Sequence, residues 1–188
     1  MTTAPTIETD RTLLRAYRLD DLDAYAAMWA DPVVTRFIGG WARTREDTWI
    51  RLLRYTGMWP LIGYGFCSIE EKATGRFIGE VGFHDLKRDL VPSIEGTPES
   101  GWVLIPSTHG KGLATEVVGA IHEWAKGRPG FERTVCIIDP DNGASLSVAR
   151  KLGYREVTRT SYQGEPMILF ERRGQEAKGP RINIQPNG

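Results

Sequence analysis

The chain has 188 residues, a length that fits one domain with a buried core. Its 24 Lys and Arg residues equal its 24 Asp and Glu residues, so a net charge of zero gives no electrostatic reason to expect nucleic acid or an anionic membrane as a partner. No apolar stretch approaches the roughly 20 residues that cross a bilayer. With two cysteines, Cys67 and Cys136, expected to be buried and reduced, this composition predicts a cytoplasmic protein.

The first third of the chain predicts one strand and two helices. Residues 12–17 form the strand, and a helix with Tyr25 and Trp29 on its apolar face is expected to end near Asp31. A second helix begins at Thr44 and ends before Pro60. Its apolar face is predicted to hold Trp49, Leu52, Leu53 and Thr56.

The middle of the chain changes to strand character. Residues 64–69 and 77–83 are apolar runs separated by a polar turn, which predicts an antiparallel hairpin. Residues 87–98 form a polar loop, and residues 99–105 form a further strand.

The last part alternates helix and strand before a final hairpin. The predicted elements are a helix at about 112–126, a strand at 134–138, a helix at 143–152 and a hairpin of 157–162 with 167–171. Strands interleaved with helices in this order predict a mixed α/β sheet with helices on both faces. We expect one domain over residues 1–173, followed by a polar, irregular extension over 174–188.

The turn before the predicted helix at residue 112 carries the strongest chemical signal. A helix N-terminus has unpaired N–H donors and the positive end of the helix dipole, so it attracts anions. Gly110 and Gly112 have no Cβ, which lets a phosphate approach the backbone. A Walker A loop is excluded by Ile105 and Gly112, and a dinucleotide fingerprint by Thr115. A plain strand-to-helix loop remains the structural alternative.

Two interpretations concern His122, one about a metal site and one about its exposure. His122-Glu123 begins like a zinc-protease motif, but Lys126 stands where the second histidine belongs, and we expect no metal site. His122 is therefore interpreted as a surface residue.

The segment from Pro106 to Glu116 resembles the cofactor motif of the GNAT superfamily of N-acetyltransferases. In the family pattern a Gln or Arg is followed, at fixed spacing, by Gly and by Gly or Ala, and this chain has His109, Gly112 and Ala114 there. His109 departs from the pattern, which matters little if its main-chain N–H makes the contact.

A second family signature lies about 30 residues further on. It resembles the pattern of Asn, a small residue and a Lys-x-Gly-aromatic ending, here Asn142, Ser145 and Lys151-Leu152-Gly153-Tyr154. Asn142 also suits a helix N-cap and Gly153 the position after a helix end, so a structural role explains both. The segments 79–83 and 99–102 resemble most the branch that contains the ribosomal-protein and polyamine acetyltransferases.

The resemblance implies a GNAT-like, mostly antiparallel sheet of about seven strands and acetyl-CoA as co-substrate, bound where two parallel strands splay. Residues 103–105 would pair with the pantetheine arm. The cofactor-binding residues implied are Val103, Leu104, Ile105, His109, Gly110, Lys111, Gly112, Leu113, Ala114, Thr115, Asn142 and Ser145.

The catalytic groups are less clearly marked than the cofactor motif. Many family members place a tyrosine acid seven residues after the second-motif Asn, where this chain has Ala149. Ser145 is the first candidate for the acid, with Tyr162 or water as alternatives; Ser145 also fits a purely structural role at the helix start. The candidate bases are Glu99, then Glu80, then His84, although each carboxylate equally suits a solvated strand edge.

The leading hypothesis is an acetyl-CoA-dependent transferase that acetylates a primary amine, a protein N-terminus or a small molecule. Trp41, in the loop between the first two helices, is the candidate for the acceptor side. A non-catalytic acetyl-CoA-binding module is the alternative, since the tyrosine acid is absent at 149, and an unrelated nucleotide-binding α/β protein is a third. A homodimer is left open.

Overall fold

The computed structural model describes residues 2–174. Eight strands are present: β1 (Ile7–Glu8), β2 (Thr12–Arg15), β3 (Phe66–Glu71), β4 (Arg76–His84), β5 (Glu99–Leu104), β6 (Arg133–Ile138), β7 (Arg155–Tyr162) and β8 (Glu165–Arg173). Five α-helices accompany them: α1 (Leu22–Ala30), α2 (Pro32–Thr35), α3 (Arg45–Ile62), α4 (Leu113–Ala125) and α5 (Gly143–Lys151). The predicted extension 174–188 lies, apart from Gly174, outside the described residues.

The strands form one sheet in the order β1-β2-β3-β4-β5-β6-β8-β7. Every neighbouring pair is antiparallel except β5 and β6, which run parallel. The predicted mixed, mostly antiparallel sheet is confirmed, with eight strands in place of about seven. The additional strand is β1, and its two residues are too short to show an alternating pattern.

Helices cover both faces of this sheet, as predicted. On one face α4 buries Val117 and Ile121 completely against Ile69, Val81 and neighbouring side chains of the strands. On the other face Tyr25 and Trp29 of α1 and Leu52 of α3 pack against Phe77 and Val103. Burying side chains of this size stabilises the fold by about 1.5–3 kcal/mol each.

The helix α3 differs from its prediction in length and in its buried face. It begins at Thr44 as predicted but continues through Pro60 and ends at Gly63, which adopts a left-handed conformation at φ 81°. The predicted buried Leu53 is half exposed and Thr56 is exposed. The residues that α3 buries are Thr48, Leu52, Tyr55 and Trp59. The core therefore lies one position away from the stripe that apolarity alone suggested.

The interpretation of His122 as a surface residue is wrong. Its side chain is 5% exposed, and its ring lies 3.1 Å from the Tyr154 hydroxyl and 3.2 Å from Arg172 Nη1. Burial, assisted by the Arg172 charge, lowers the pKa of His122 to about 3. The ring is therefore neutral in the folded protein at physiological pH.

Both cysteines are buried free thiols, as predicted. Burial raises the pKa of Cys67 to about 12, so its thiol stays protonated. Among residues 2–174, no helix has the length and apolarity needed to cross a membrane.

Candidate functional site

The parallel strands β5 and β6 separate after a single aligned pair. Glu99 is opposite Val135, and the N–H of Val135 donates to the carbonyl of Pro98 at 3.0 Å. The other edge of β5 pairs with β4 along its whole length. A gap therefore opens between β5 and β6 toward their carboxyl ends, as the resemblance implied.

Backbone direction decides which residues of β5 face this gap. The N–H of Ile105 donates to the carbonyl of Ile78 in β4, so Ile105 and, by strand alternation, Val103 direct their backbone groups toward β4. Leu104 and Trp102 direct theirs toward the gap. Of the three residues predicted to pair with a pantetheine arm, only Leu104 presents its backbone there.

The glycine-rich turn places open backbone at the start of α4. Gly110 and Gly112 both adopt left-handed conformations, at φ 74° and 77°, which disfavour residues with a side chain. Gly112 is the N-cap, and no side chain caps the helix. A Cβ at Gly110 would meet no heavy atom within 4 Å, and one at Gly112 would meet only Arg11 Nη2 at 3.8 Å. No described side chain therefore caps α4, and the space beside the two glycines is open.

His109 has both of its polar groups occupied. Its main-chain N–H donates to the Pro106 carbonyl at 3.0 Å, and its ring Nε2 lies 2.9 Å from the Leu104 carbonyl oxygen. The side chain thus fastens the turn to the end of β5. The expectation that the His109 N–H serves the cofactor has no free donor to support it.

The second motif forms the start and end of α5. The Asn142 side chain accepts a hydrogen bond from the N–H of Ser145 at 3.1 Å, so the N-cap role is confirmed. Gly153 follows the helix at φ 85°. Ala149, at the position of the family tyrosine, is completely buried and carries no hydroxyl.

A cavity of about 760 Å³ extends from the gap between β5 and β6 to the face of α3. Five of the predicted site residues line it, namely His84, Glu99, Val103, Asn142 and Ser145. Trp41 and Tyr162 line it as well. The structure thus brings the second motif, the acid candidates and the acceptor-side tryptophan to one space, while the glycine-rich turn lies beyond its lining.

Glu99 lies between Arg88 and His84 inside this cavity. Arg88 donates to its two carboxylate oxygens from Nε at 2.7 Å and from Nη2 at 3.0 Å. His84 Nε2 lies 3.1 Å from Oε1 without hydrogen-bond geometry. Burial would raise the pKa of Glu99, but His84 and Arg88 outweigh it and hold the pKa at about 2. A carboxylate with so low a pKa is a weak proton acceptor.

Glu80 is fully buried beneath the cavity. Its Oε2 accepts hydrogen bonds from the hydroxyls of Tyr17 at 2.5 Å and Tyr25 at 2.6 Å, and Oε1 lies 3.5 Å from Arg51 Nε. Because Glu80 is 0% and Glu99 4% exposed, the alternative that either is a solvated strand-edge carboxylate is wrong.

Sequence reasoning missed the side chains of α3 that line the cavity. Arg51, Arg54 and Tyr55 face it, together with Arg43 before the helix. The spacing of 51, 54 and 55 is that of one helical face, and this was the available signal. The Tyr55 hydroxyl is buried without a partner among the described residues, and burial raises the pKa of Tyr55. No group of three or more His, Cys, Asp or Glu side chains within residues 2–174 is arranged to hold a metal ion.

A splayed parallel pair followed by an uncapped helix defines a fold able to bind an extended anionic ligand at a sheet edge. Comparison with protein families identifies the class more narrowly, because residues 11–155 of the chain match the model of the acetyltransferase (GNAT) domain. The chain belongs to the GNAT acetyltransferase family. The third hypothesis, an unrelated nucleotide-binding protein, is therefore wrong.

Relatives with this fold are found in several bacteria. The chain is 26% identical over 153 residues to the uncharacterized N-acetyltransferase YoaA of Bacillus subtilis, covering 81% of this chain and 84% of YoaA. A solved acetyltransferase structure assigned to the GNAT family in Bordetella pertussis is 28% identical, with a TM-score of 0.79 over 90% of this chain and 99% of that one. The ribosomal L7/L12 acetyltransferase RimL in complex with coenzyme A shares the fold, with a TM-score of 0.71 at 16% identity over 88% and 95% of the two chains.

Proposed function

We propose that this protein transfers the acetyl group of acetyl-CoA to a primary amine. Family membership supports acetyl transfer in general, and the arrangement around α4 supports this co-substrate in particular. The observation that carries the proposal is the uncapped start of α4 at Gly112, after two glycines in left-handed conformation. A helix start of this kind leaves its N–H donors available to a diphosphate.

The diphosphate contacts proposed are main-chain groups of the turn and of the first turn of α4. They belong to Gly110, Lys111, Gly112, Leu113, Ala114 and Thr115. His109 is left out because its N–H and its ring are already bonded within the turn. Its part is to fix the turn against β5.

The pantetheine arm is proposed to lie along the free edge of β5. Trp102 and Leu104 supply the backbone groups that face the gap, in place of the neighbouring Val103 and Ile105. The Leu104 carbonyl is already bonded to His109, which leaves its N–H as the donor. An arm held in this way extends from the turn into the cavity.

The reacting groups are proposed to meet beside Ser145. Bound acetyl-CoA supplies a thioester, and the amine must reach it without its extra proton. Ser145 lines the cavity with its N–H bonded to Asn142. As the C–N bond forms and the C–S bond breaks, its hydroxyl is proposed to give a proton to the leaving sulfur and to regain one from the attacking nitrogen, with Tyr162 as the second candidate. The pKa of about 2 makes Glu99 a fixed anion that orients Arg88 and His84, so we do not retain it as the base. Glu80, bonded to two tyrosines, holds the cavity floor.

Thiol release tests the proposal directly. The protein is incubated with acetyl-CoA and a panel of amines, and free coenzyme A is measured with a thiol reagent while calorimetry measures acetyl-CoA binding. Release with at least one amine supports the transferase. Binding without release from any amine identifies the non-catalytic module, and absence of binding overturns the cofactor assignment as well.

A further inference from the structure

Three guanidinium groups line the cavity on the side of α3. Arg51 and Arg54 lie one turn apart on the same face of the helix, and Arg43 lies just before its start. We call these three residues the arginine wall. It faces the part of the cavity that the cofactor proposal leaves for the acceptor.

The charges of the arginine wall are only partly neutralised. Arg51 lies 3.5 Å from Glu80, whose other oxygen is bonded to two tyrosines. Within residues 2–174, neither Arg43 nor Arg54 has a carboxylate within 4.0 Å. Asp47, the carboxylate of α3 that lines the same cavity, accepts hydrogen bonds from the N–H and the hydroxyl of Thr44. The Asp47 charge still acts on Arg43, so three guanidinium groups face two carboxylates, Glu80 and Asp47, and one positive charge is left in excess.

Arg43 is held in place while its charge stays available. Its guanidinium group stacks on the Trp41 ring at 3.5 Å and donates one hydrogen bond to the Ile38 carbonyl. Burial lowers the pKa of Arg43, and the charge of Arg51 lowers it further. Arg54 lines the same side of the cavity, so an anion bound against Arg43 and Arg54 would supply the opposite charge that this side is short of.

The carboxylates that line the cavity come from other elements. Glu99 is matched by Arg88, whereas Asp139 follows β6 and Glu165 begins β8, and neither forms a salt bridge with a described residue. The cavity therefore has positive side chains on the side of α3 and negative side chains at the end of β6 and the start of β8. An acceptor that carries both charges would place its anion at α3 and its ammonium group toward Asp139 and Glu165, whereas a polycation has no anion for α3.

We propose that the acceptor is a small primary amine that also carries an anionic group, a carboxylate or a phosphate, which Arg43 and Arg54 bind. This inference rests on the proposed transferase activity. A guanidinium group binds either anion with paired, charge-assisted hydrogen bonds, and Trp41 provides an apolar surface beside it. Polyamines and aminoglycosides lack the anion and are excluded as preferred acceptors.

Matched pairs of amines test the anion requirement. Lysine is compared with cadaverine, tyrosine with tyramine, and histidine with histamine, since each pair differs by the carboxylate; phosphoethanolamine and ethanolamine form the phosphate arm. We expect the anionic member of at least one pair to exceed its partner at least 10-fold in kcat/KM, and the better arm identifies the anion. The inference is overturned if kcat/KM is equal or higher for the amines that lack the anion, or for a peptide N-terminus with uncharged neighbours.

Variants of the arginine wall separate recognition from folding. Arg43→Gln and Arg54→Gln are each expected to raise KM for the anionic acceptor about 10-fold, with KM for acetyl-CoA unchanged and a much smaller effect on kcat/KM for the partner amine that lacks the anion. Arg45→Gln is the control, because Arg45 begins the same helix but pairs with the exposed Asp23 at 2.6 Å outside the cavity. An equal effect in all three variants overturns the assignment. If some amines are acetylated but the anionic member of no pair is preferred, this inference alone is refuted. If no amine releases the thiol, the transferase proposal is refuted too.

Discussion

The helix α3 begins at Thr44, which exchanges hydrogen bonds with Asp47 so that side chains satisfy its first donors. The helix α4 begins at Gly112, where no side chain does so. With glycine as the N-cap, such a helix start forgoes a few tenths of a kcal/mol of stabilisation. Under the proposed function, α4 leaves its donors to the ligand, while α3 satisfies its own within the fold.

The same contrast extends to the two ends of the site. At the cofactor end the proposed contacts are main-chain groups of consecutive residues around Gly112. At the acceptor end the chemistry belongs to side chains of separate elements, such as Arg54 of α3 and Glu99 of β5. Backbone recognition depends on local conformation, and side-chain recognition depends on how distant parts of the chain pack.

Replacing Gly112 tests the cofactor end with the largest expected effect. In Gly112→Asp a carboxylate would occupy the space proposed for the diphosphate, and charge repulsion at such distances costs about 4 kcal/mol. We expect coenzyme A to bind roughly 1,000-fold more weakly by calorimetry. Gly75→Asp is the matched control, because Gly75 is also left-handed at φ 68° with no heavy atom within 4 Å of a Cβ, but lies in the β3–β4 turn. Unchanged affinity in Gly112→Asp would remove the turn from the site.

Glu99→Gln tests the acceptor end through stability. Because the variant leaves Arg88 buried without its counter-ion, the free energy of unfolding at pH 7 is expected to fall by about 3 kcal/mol. The folded-state pKa of about 2 is below the usual 4.5, so the stabilisation by Glu99 is present above pH 4.5 and is lost as pH falls toward 2. Urea unfolding of both proteins should therefore converge at low pH. A difference that does not change with pH, or an equal loss in the exposed Glu95→Gln, would contradict the pairing.

The proton donor is tested on α5. Ser145→Ala is expected to lower kcat about 100-fold, with KM for acetyl-CoA unchanged, because a positioned acid contributes at least that factor. Ser147→Ala is the control, since Ser147 is on the same helix but exposed. Full activity of Ser145→Ala across pH would clear Ser145 of this role and leave Tyr162→Phe as the next variant to measure.

The contrast between the two ends also explains what the sequence could predict. The glycine-rich turn and the N-cap at Asn142 are local features, so a short motif specifies both their conformation and their place after a strand. The partners of Glu80 are 63 and 55 residues away in the chain, at Tyr17 and Tyr25. Such contacts arise from packing, and residue types alone gave Glu80 and Glu99 the wrong surroundings.

The sequence did not predict the arginine wall, and the reason is related. Arg51 and Arg54 share a helical face, but a charged face on a helix is usually solvated, and the expected apolar stripe was placed one position away. Only the position of α3 over the cavity shows that this face is directed inward.

Replacing the cap of α3 is expected to lower stability without lowering coenzyme A affinity, in contrast to replacing Gly112. Thr44→Ala removes the hydroxyl that accepts from the Asp47 N–H at 3.0 Å, and the free energy of unfolding is expected to fall by about 1 kcal/mol. Coenzyme A affinity should stay as it is. A loss of affinity in Thr44→Ala comparable with that in Gly112→Asp would show that both variants act through general destabilisation.

Arg11 gives the smallest expected effect and tests how α4 tolerates an acidic residue in its first turn. Glu116 is bonded by Arg11 Nε at 2.7 Å and by the Thr9 hydroxyl at 2.6 Å, and Arg11 also donates to the Lys111 carbonyl at 2.8 Å, so the Arg11 charge offsets that of Glu116 beside the helix start. Burial would raise the pKa of Glu116, but these hydrogen bonds outweigh it and lower the pKa, so the group is ionised. In Arg11→Gln the freed carboxylate should weaken coenzyme A binding about 3-fold at low ionic strength, less than 1 kcal/mol because the pair is partly exposed. The double variant Arg11→Gln/Glu116→Gln should recover the affinity; failure to recover it would mean that Arg11 contacts the phosphates itself.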